Sequence, residues 1–435
     1  MAELESMTPV AAIVCILLGC TSLLLLKRSP NRGWIDQMGG MMLGWIILFM
    51  GLGYAAKAVR EALWETDVDL DFFRYTQHSF GLISIILGAS FTFFYPYPIM
   101  QKASRIKTAP YFVGVLSLIL IVTMLLLDYR YMGAIQILYI PGFIILISVY
   151  FRFLTDEINN GDETARRLSF AAGLIIIALH GAEMTWWLAQ LISINDEFIG
   201  RSAIASGVGD YSRIPTWIGY NVMTTIGAVA TLTLAAGETW RAQVKGMSGF
   251  TIIIYLILGV GLISGIADYA VLDIVNSCMY TVCNDFPESY NIWYTFTTDA
   301  LVLLFTPLIS MYVLLNFDVV DSGSEENRWL TRIIVILMLL IISSTMIELL
   351  QSFLPVSQMI SSAILAMVVA IFIGWEERIM QKLIEQGESI SKKLSSLKEI
   401  NEPDLDTTEL DFFSKAMASL LVFTVILCFL YSSIT

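Results

Sequence analysis

Charge is scarce in this sequence. Only 14% of its 435 residues are charged against 57% apolar, and the charges fall between apolar runs of about 20 residues, the length that crosses a bilayer as a helix. A soluble globular core is excluded by that pattern. Histidine is rarer still, with His78 and His180 the only two. Of the five cysteines, Cys15, Cys20 and Cys428 lie in apolar runs, and only Cys278 and Cys283 share a polar loop. No spacing of these residues matches a zinc site, and the two histidines fall at different depths of their runs, which excludes a bis-histidine haem. No metal and no cofactor is expected.

The formal net charge of -13 comes from acids in loops, and no basic patch interleaves with aromatics, so nucleic acid is excluded as a partner. A phosphate-binding glycine loop, Gly-x-Ser-x-Gly and His-Glu-x-x-His are all missing. Gly207-Val-Gly-Asp210 resembles an intramembrane aspartyl protease motif, but it lies in a loop and reads as a glycine-rich connection. Lys57, the one lysine available for a retinal Schiff base, sits near a helix end rather than deep in a bundle. No catalytic residue is assigned, and the sequence leans away from an enzyme.

What is present is a series of apolar segments. They predict an all-α integral membrane protein with twelve spans, at about 8–26, 38–58, 77–99, 111–127, 131–151, 168–192, 215–236, 250–274, 292–315, 331–350, 355–375 and 412–431. Glu3 and Glu5 precede the first span and Lys27, Arg28 and Arg32 follow it, the reverse of a cleavable signal peptide, which predicts a retained span with its amino terminus outside. Lys102, Arg105 and Lys107, then Arg152, Arg166 and Arg167, then Arg241 and Lys245, then Arg328 and Arg332 all fall in inner loops on this scheme, as basic residues should. The carboxyl terminus then lies outside, as does the loop holding Cys278 and Cys283, where a disulfide is expected. Trp64, Trp217 and Trp293 at outer ends, and Trp240, Trp329 and Trp375 at inner ends, fit interfacial belts.

Linear organisation divides into a seven-helix module at 1–245, a four-helix module at 246–380, a cytoplasmic amphipathic helix and linker at 381–411, and a last span within 412–435. Ile379, Leu383, Ile390, Leu394 and Leu397 form a broken apolar stripe, so the helix near 376–400 reads as an amphipathic helix lying on the membrane or on the protein's own loops rather than a dimeric coiled coil, and it is where a protein partner is expected to contact the chain.

Between Lys27 and Pro98 several features coincide: Lys27-Arg-Ser-Pro30, Trp45, Gly51-Leu-Gly-Tyr-Ala55, an acidic loop, and Phe93-Phe-Tyr-Pro-Tyr-Pro98. This stretch resembles the seven-helix sensor region at the amino terminus of some histidine kinases. The resemblance implies a membrane module for sensing or ligand recognition. Where that family continues into signalling domains, this chain continues into five more spans.

Ionisable residues inside spans are costly and mark sites by default. Lys57, Arg60, His180, Glu183, Asp268, Asp299 and Glu348 all fall between mid-depth and the outer rim, and Trp187 follows Glu183 by one turn. Asp268 shares a helical stripe with Gly261, Ser264, Gly265 and Leu272, which predicts that it faces the bundle interior; Lys57 or Arg60 is its expected ion-pair partner. His180 and Glu183, one turn apart, suit either a proton-linked switch or a structural pair satisfied by neighbouring helices.

These features together predict a non-enzymatic sensor, receptor or adaptor in the cell membrane, with an outward-facing polar pocket for a small molecule. A secondary transporter and an accessory subunit of a membrane complex are the alternatives.

Overall fold

The computed structural model describes residues 8–28, 34–63, 70–99, 103–128, 135–193, 214–246, 249–272, 274, 286–297, 302–316 and 329–339, with isolated positions at 343, 412, 415, 416, 419 and 422. Among them the chain is all-helical, with no strand. In order the helices are α1 (Thr8–Arg28), α2 (Trp34–Ala62), α3 (Asp71–Phe91), α4 (Ala103–Leu126), α5 (Tyr139–Asn160, entered through a 3-10 turn at Gln136–Leu138), α6 (Glu163–Ser193), α7 (Ile214–Lys245), α8 (Thr251–Ala270), α9 (Glu288–Thr295), α10 (Val302–Asn316) and α11 (Trp329–Leu339).

Seven of these segments are long and apolar enough to cross a membrane: Thr8–Arg28, Met38–Ala62, Thr108–Leu126, Gln136–Asn160, Glu163–Ile192, Val222–Lys245 and Thr251–Ala270. This is a multi-pass membrane architecture. The seven coincide with the expected spans one, two and four to eight. The third forms a helix, but α3 opens on Asp71, Arg74, Gln77 and His78 and stops at Phe91, so its apolar part is short. The ninth is represented by α9 and α10 on either side of 298–301, and the tenth by the short α11. The eleventh span, nearly all of the twelfth, and the segment 376–411 lie outside the described residues.

Contacts divide the chain into two units, the first formed by Met1–Val122 with Asp299–Leu420, and the second by Thr123–Thr298 with Leu421–Thr435. The expected boundary at 245 falls inside the second.

In the first unit α2 packs between α1 and α3, and α10 packs on α1. The close approach of α1 and α2 depends on two glycines: a β-carbon at Gly19 would lie 2.8 Å from the Leu48 Cα, and one at Gly51 would lie 2.7 Å from the Ile16 nitrogen. Ser84 donates a hydrogen bond across to the Ile46 carbonyl at 3.1 Å, tying α3 to α2. Small residues are what allow such contact in lipid, where the surroundings are as apolar as the side chains and only packing and hydrogen bonds favour association. Most of α4 is exposed, with only a narrow buried stripe of Ser117, Leu120 and Met124.

The second unit is built around α6, whose window is 72% buried. Asp162 caps this helix by accepting the Thr164 N–H at 2.8 Å, and Gly161, in the left-handed region at φ 68°, closes α5 just before it. Helices α5, α7 and α8 all pack against α6. Gly227 of α7 lies against the Glu183 backbone, and Gly261 and Gly265 of α8 press on the Thr185 and Ala189 carbonyls, 2.9 and 2.8 Å from where their β-carbons would stand.

An alanine at Gly51 should therefore destabilise the protein by about 1–3 kcal/mol through overpacking, although alanine is the better helix former. Gly114→Ala, where a β-carbon meets nothing within 4 Å, should be neutral or gain up to about 1 kcal/mol. Unfolding followed by tryptophan fluorescence in micelles distinguishes the two.

Candidate functional site

The apolar stripe of α7 runs through Gly227, Ala230, Leu234, Glu238 and Arg241 at helical spacing, so two charged residues occupy what are geometrically core positions. Glu238 and Arg241 are each 1% exposed. The facing stripe of α5, Leu146, Tyr150, Phe153 and Glu157, likewise ends on a buried acid. Arg241 bridges the two helices. Its Nε and Nη2 donate to Glu157 Oε2 at 3.1 and 3.0 Å, Nη2 donates to the Ser169 hydroxyl of α6 at 2.7 Å, and Nη1 donates to Glu238 Oε1. The Tyr150 hydroxyl also donates to Glu238 Oε1, at 3.1 Å. Room for this arrangement comes from two glycines, since a β-carbon at Gly237 would collide with the Tyr150 ring and one at Gly249 with the Glu238 carboxylate.

Sequence reasoning placed Arg241 in an inner loop after the seventh span; α7 instead runs on to Lys245 and buries it. The missed signal was the continuation of the stripe through Leu234, Glu238 and Arg241 beyond the last strongly apolar residue.

A second polar cluster lies farther along α6. His180 is 1% exposed, with the Tyr139 and Phe143 rings of α5 packed edge-on against it at 5.5 and 5.2 Å between centroids. Its Nδ1 is buried without a hydrogen-bond partner, and the same holds for Glu183 Oε2 one turn on. The Tyr139 hydroxyl is within electrostatic reach of Glu183. Trp186 and Trp187 continue the helix half-buried. Both residues thus lie in the second unit one turn apart on α6, each with a buried polar atom left unmatched.

Asp268 is 6% exposed and shares the buried face of α8 with Gly261, Ser264 and Gly265. Its Oδ1 accepts the Tyr290 hydroxyl at 3.0 Å, while Trp293 Nε1 donates to the Ser264 hydroxyl at 3.1 Å, so α9 supplies the polar partners of this stripe. Lys57 pairs with Glu61 at 3.4 Å on its own helix α2, which belongs to the first unit, as does Arg60. The structure thus places the His180 ring against α5 and the Glu183 backbone against α7, and gives Asp268 a tyrosine. Asp299, Glu348, Cys278 and Cys283 lie outside the described residues. Among the described residues no three histidine, cysteine, aspartate or glutamate side chains gather as metal ligands.

Comparison with known proteins identifies no family model, no curated protein and no solved structure that matches the chain. What the site can do is read from its own chemistry. The α5–α6–α7 triad binds helices together by charge while leaving Glu157 Oε1 and Glu238 Oε2 without hydrogen bonds, and His180 Nδ1 and Glu183 Oε2 are likewise unmatched.

Removing the guanidinium leaves two buried carboxylates facing each other. Arg241→Met is expected to cost about 3–5 kcal/mol, whereas the triple variant Glu157→Met, Arg241→Leu, Glu238→Met should come within about 1–2 kcal/mol of the parent, because no charge is left stranded. Chemical unfolding of the purified proteins in micelles measures both.

Proposed function

We propose that this chain is a non-enzymatic receptor or sensor of the cell membrane, spanning it twelve times with both ends outside and recognising a small molecule at His180 and Glu183. The observation that carries the reading is the pair of sealed, unpartnered atoms, His180 Nδ1 and Glu183 Oε2, on one face of the most buried helix of the second unit. Each buried polar atom left unmatched costs about 1–3 kcal/mol, so a ligand that donates to Glu183 and pairs with His180 recovers energy that the protein alone leaves unspent. Tyr139 and Phe143 support the reading by fixing the imidazole ring from two sides. Output would run through a protein partner at the cytoplasmic helix near 376–400.

A secondary transporter is the second reading, favoured by the buried Asp268 near the end of α8 and by Pro307 inside α10, where a helix can bend.

Gentle native purification followed by mass spectrometry of bound small molecules tests the first reading. A molecule retained by the parent protein should bind about 10- to 100-fold more weakly to Glu183→Gln and to His180→Phe, the equivalent of losing one charge-assisted hydrogen bond. Retention unchanged in both variants, with the fold intact, would remove the pocket. Uptake of a solute into proteoliposomes that Asp268→Asn abolishes would replace the receptor reading with the transporter one.

A further inference from the structure

The buried triad has two acids and one fully buried base, and its two carboxylates are not equivalent. Glu157 Oε2 receives two donors from Arg241 and one from Ser169, at 3.4 Å, while its Oε1 lies 3.9 Å from Arg166 Nε. Glu157 therefore has Arg241 on one oxygen and only the half-exposed Arg166 near the other, an oxygen that accepts no hydrogen bond. Glu238 has only a share of the Arg241 guanidinium. Its Oε1 accepts from Tyr150 and Arg241, while its Oε2, seated against Gly249, has no side-chain donor and only the Phe250 backbone N–H near the carboxylate.

Other charges near the cluster are engaged elsewhere or at its edge. On α5, Arg152 and Asp156 pair with each other at 3.3 Å. On α6, Arg166 is 43% exposed, which screens its charge, and Arg167 pairs with Glu163 at 3.7 Å. Asp162 caps α6, and Lys245 of α7 lies beside Gly161. The connecting sequence 246–250, Gly-Met-Ser-Gly-Phe, has no titratable side chain.

We infer that Glu238 is a proton-binding site: the triad holds one exchangeable proton on Glu238 Oε2, taken from water, and its occupancy controls how the turn between α7 and α8 seats. An ionised carboxylate without its own counter-charge is expensive where water is excluded, and forming an O–H bond removes that charge at lower cost than importing a second cation. The proton goes to Oε2 because Oε1 already accepts two hydrogen bonds. The turn is the responsive element because Gly249 abuts that carboxylate, and the next residue, Phe250, fits into a slot formed by Gly173, Phe170 and Tyr150. Losing the proton restores a full negative charge directly under the Gly249 backbone. From Phe250 the chain continues into α8, so seating of the turn is transmitted to the helix that carries Asp268.

Infrared difference spectroscopy of the full chain in lipid nanodiscs, titrated with acid and base and repeated in heavy water, tests this. At neutral pH the protein should show the carbonyl stretch of a buried neutral carboxyl group. That band should be lost in Glu238→Gln and kept in Glu157→Gln. Tyr150→Phe removes a donor that favours the ionised form, so in that variant the band should persist to higher pH than in the parent. Absence of any such band from the parent at neutral pH, its survival in Glu238→Gln, or a shift to lower pH in Tyr150→Phe would each overturn the inference. The Tyr150→Phe titration stands even where Glu238→Gln fails to fold.

Discussion

A guanidinium does not give up its charge at any pH a protein meets, so a chain that buries Arg241 must surround it with acids and acceptors. The second unit follows from that constraint. Glu157 must stand on the facing stripe of α5, Ser169 near the start of α6, and Glu238 one turn before the arginine on α7. Three helices that lipid gives little reason to associate are thereby pinned at one place. The same demand sets the glycines, because the Tyr150 ring needs the space over Gly237 to bring its hydroxyl to Glu238, and the α7–α8 turn needs Gly249 to pass over the carboxylate. In a medium of low dielectric each of these charge-assisted hydrogen bonds is strong and each omission is costly, so the arrangement tolerates little partial assembly.

Away from the triad, close backbone contact holds the helices together. Gly227 meets the Glu183 backbone, Gly261 and Gly265 meet carbonyls of α6, and Gly19 and Gly51 do the same work between α1 and α2. Both units therefore use one solution, glycine at the crossing and an occasional serine hydroxyl across it, because hydrophobic burial discriminates weakly between a neighbouring helix and a lipid chain. The contrast between α6 and α4 shows the limit of the rule. Gly114 of α4 faces open space, so a glycine in a membrane helix is not by itself a mark of contact.

The helical class and seven of the spans were legible in the sequence because apolar runs of that length have one physical meaning. Helix ends were less so. Arg241 and Lys245 read as loop residues on hydropathy alone, yet backbone hydrogen bonding carries α7 through them, and a charge that finds its counter-charge no longer obeys the preference for water on which hydropathy rests. The inward face of Asp268 was readable from the small residues around it, whereas its tyrosine partner was not, since Tyr290 sits on a separate short helix and no periodicity links the two. His180 and Glu183 could be considered together from sequence because their spacing lies within a single helix. Glu157 and Arg241 are 84 positions apart, and their pairing is a property of how α5 and α7 pack.

The two polar clusters on α6 differ in what holds them, charge-assisted hydrogen bonds between helices in one and ring edges in the other, and the difference bears on how the unit could respond to a ligand. Ser169, at the triad, is about three turns from His180, some 16 Å along the helix axis. At the first position three charged side chains and two hydroxyls meet most of one another's demands. At the second, the imidazole is held by ring edges alone and the nearby carboxylate keeps an open oxygen. A helix fixed by charge at one point and by contact alone at another has a defined place to yield. Under the receptor reading, movement produced at His180 and Glu183 would be taken up by α7 and α8, whose glycines lie directly on the α6 backbone beside Glu183, Thr185 and Ala189. Leu188 and Ile192 of α6 also seat against Gly261 and Gly265, so these contacts couple the register of α8 to α6 and carry movement at one into the other.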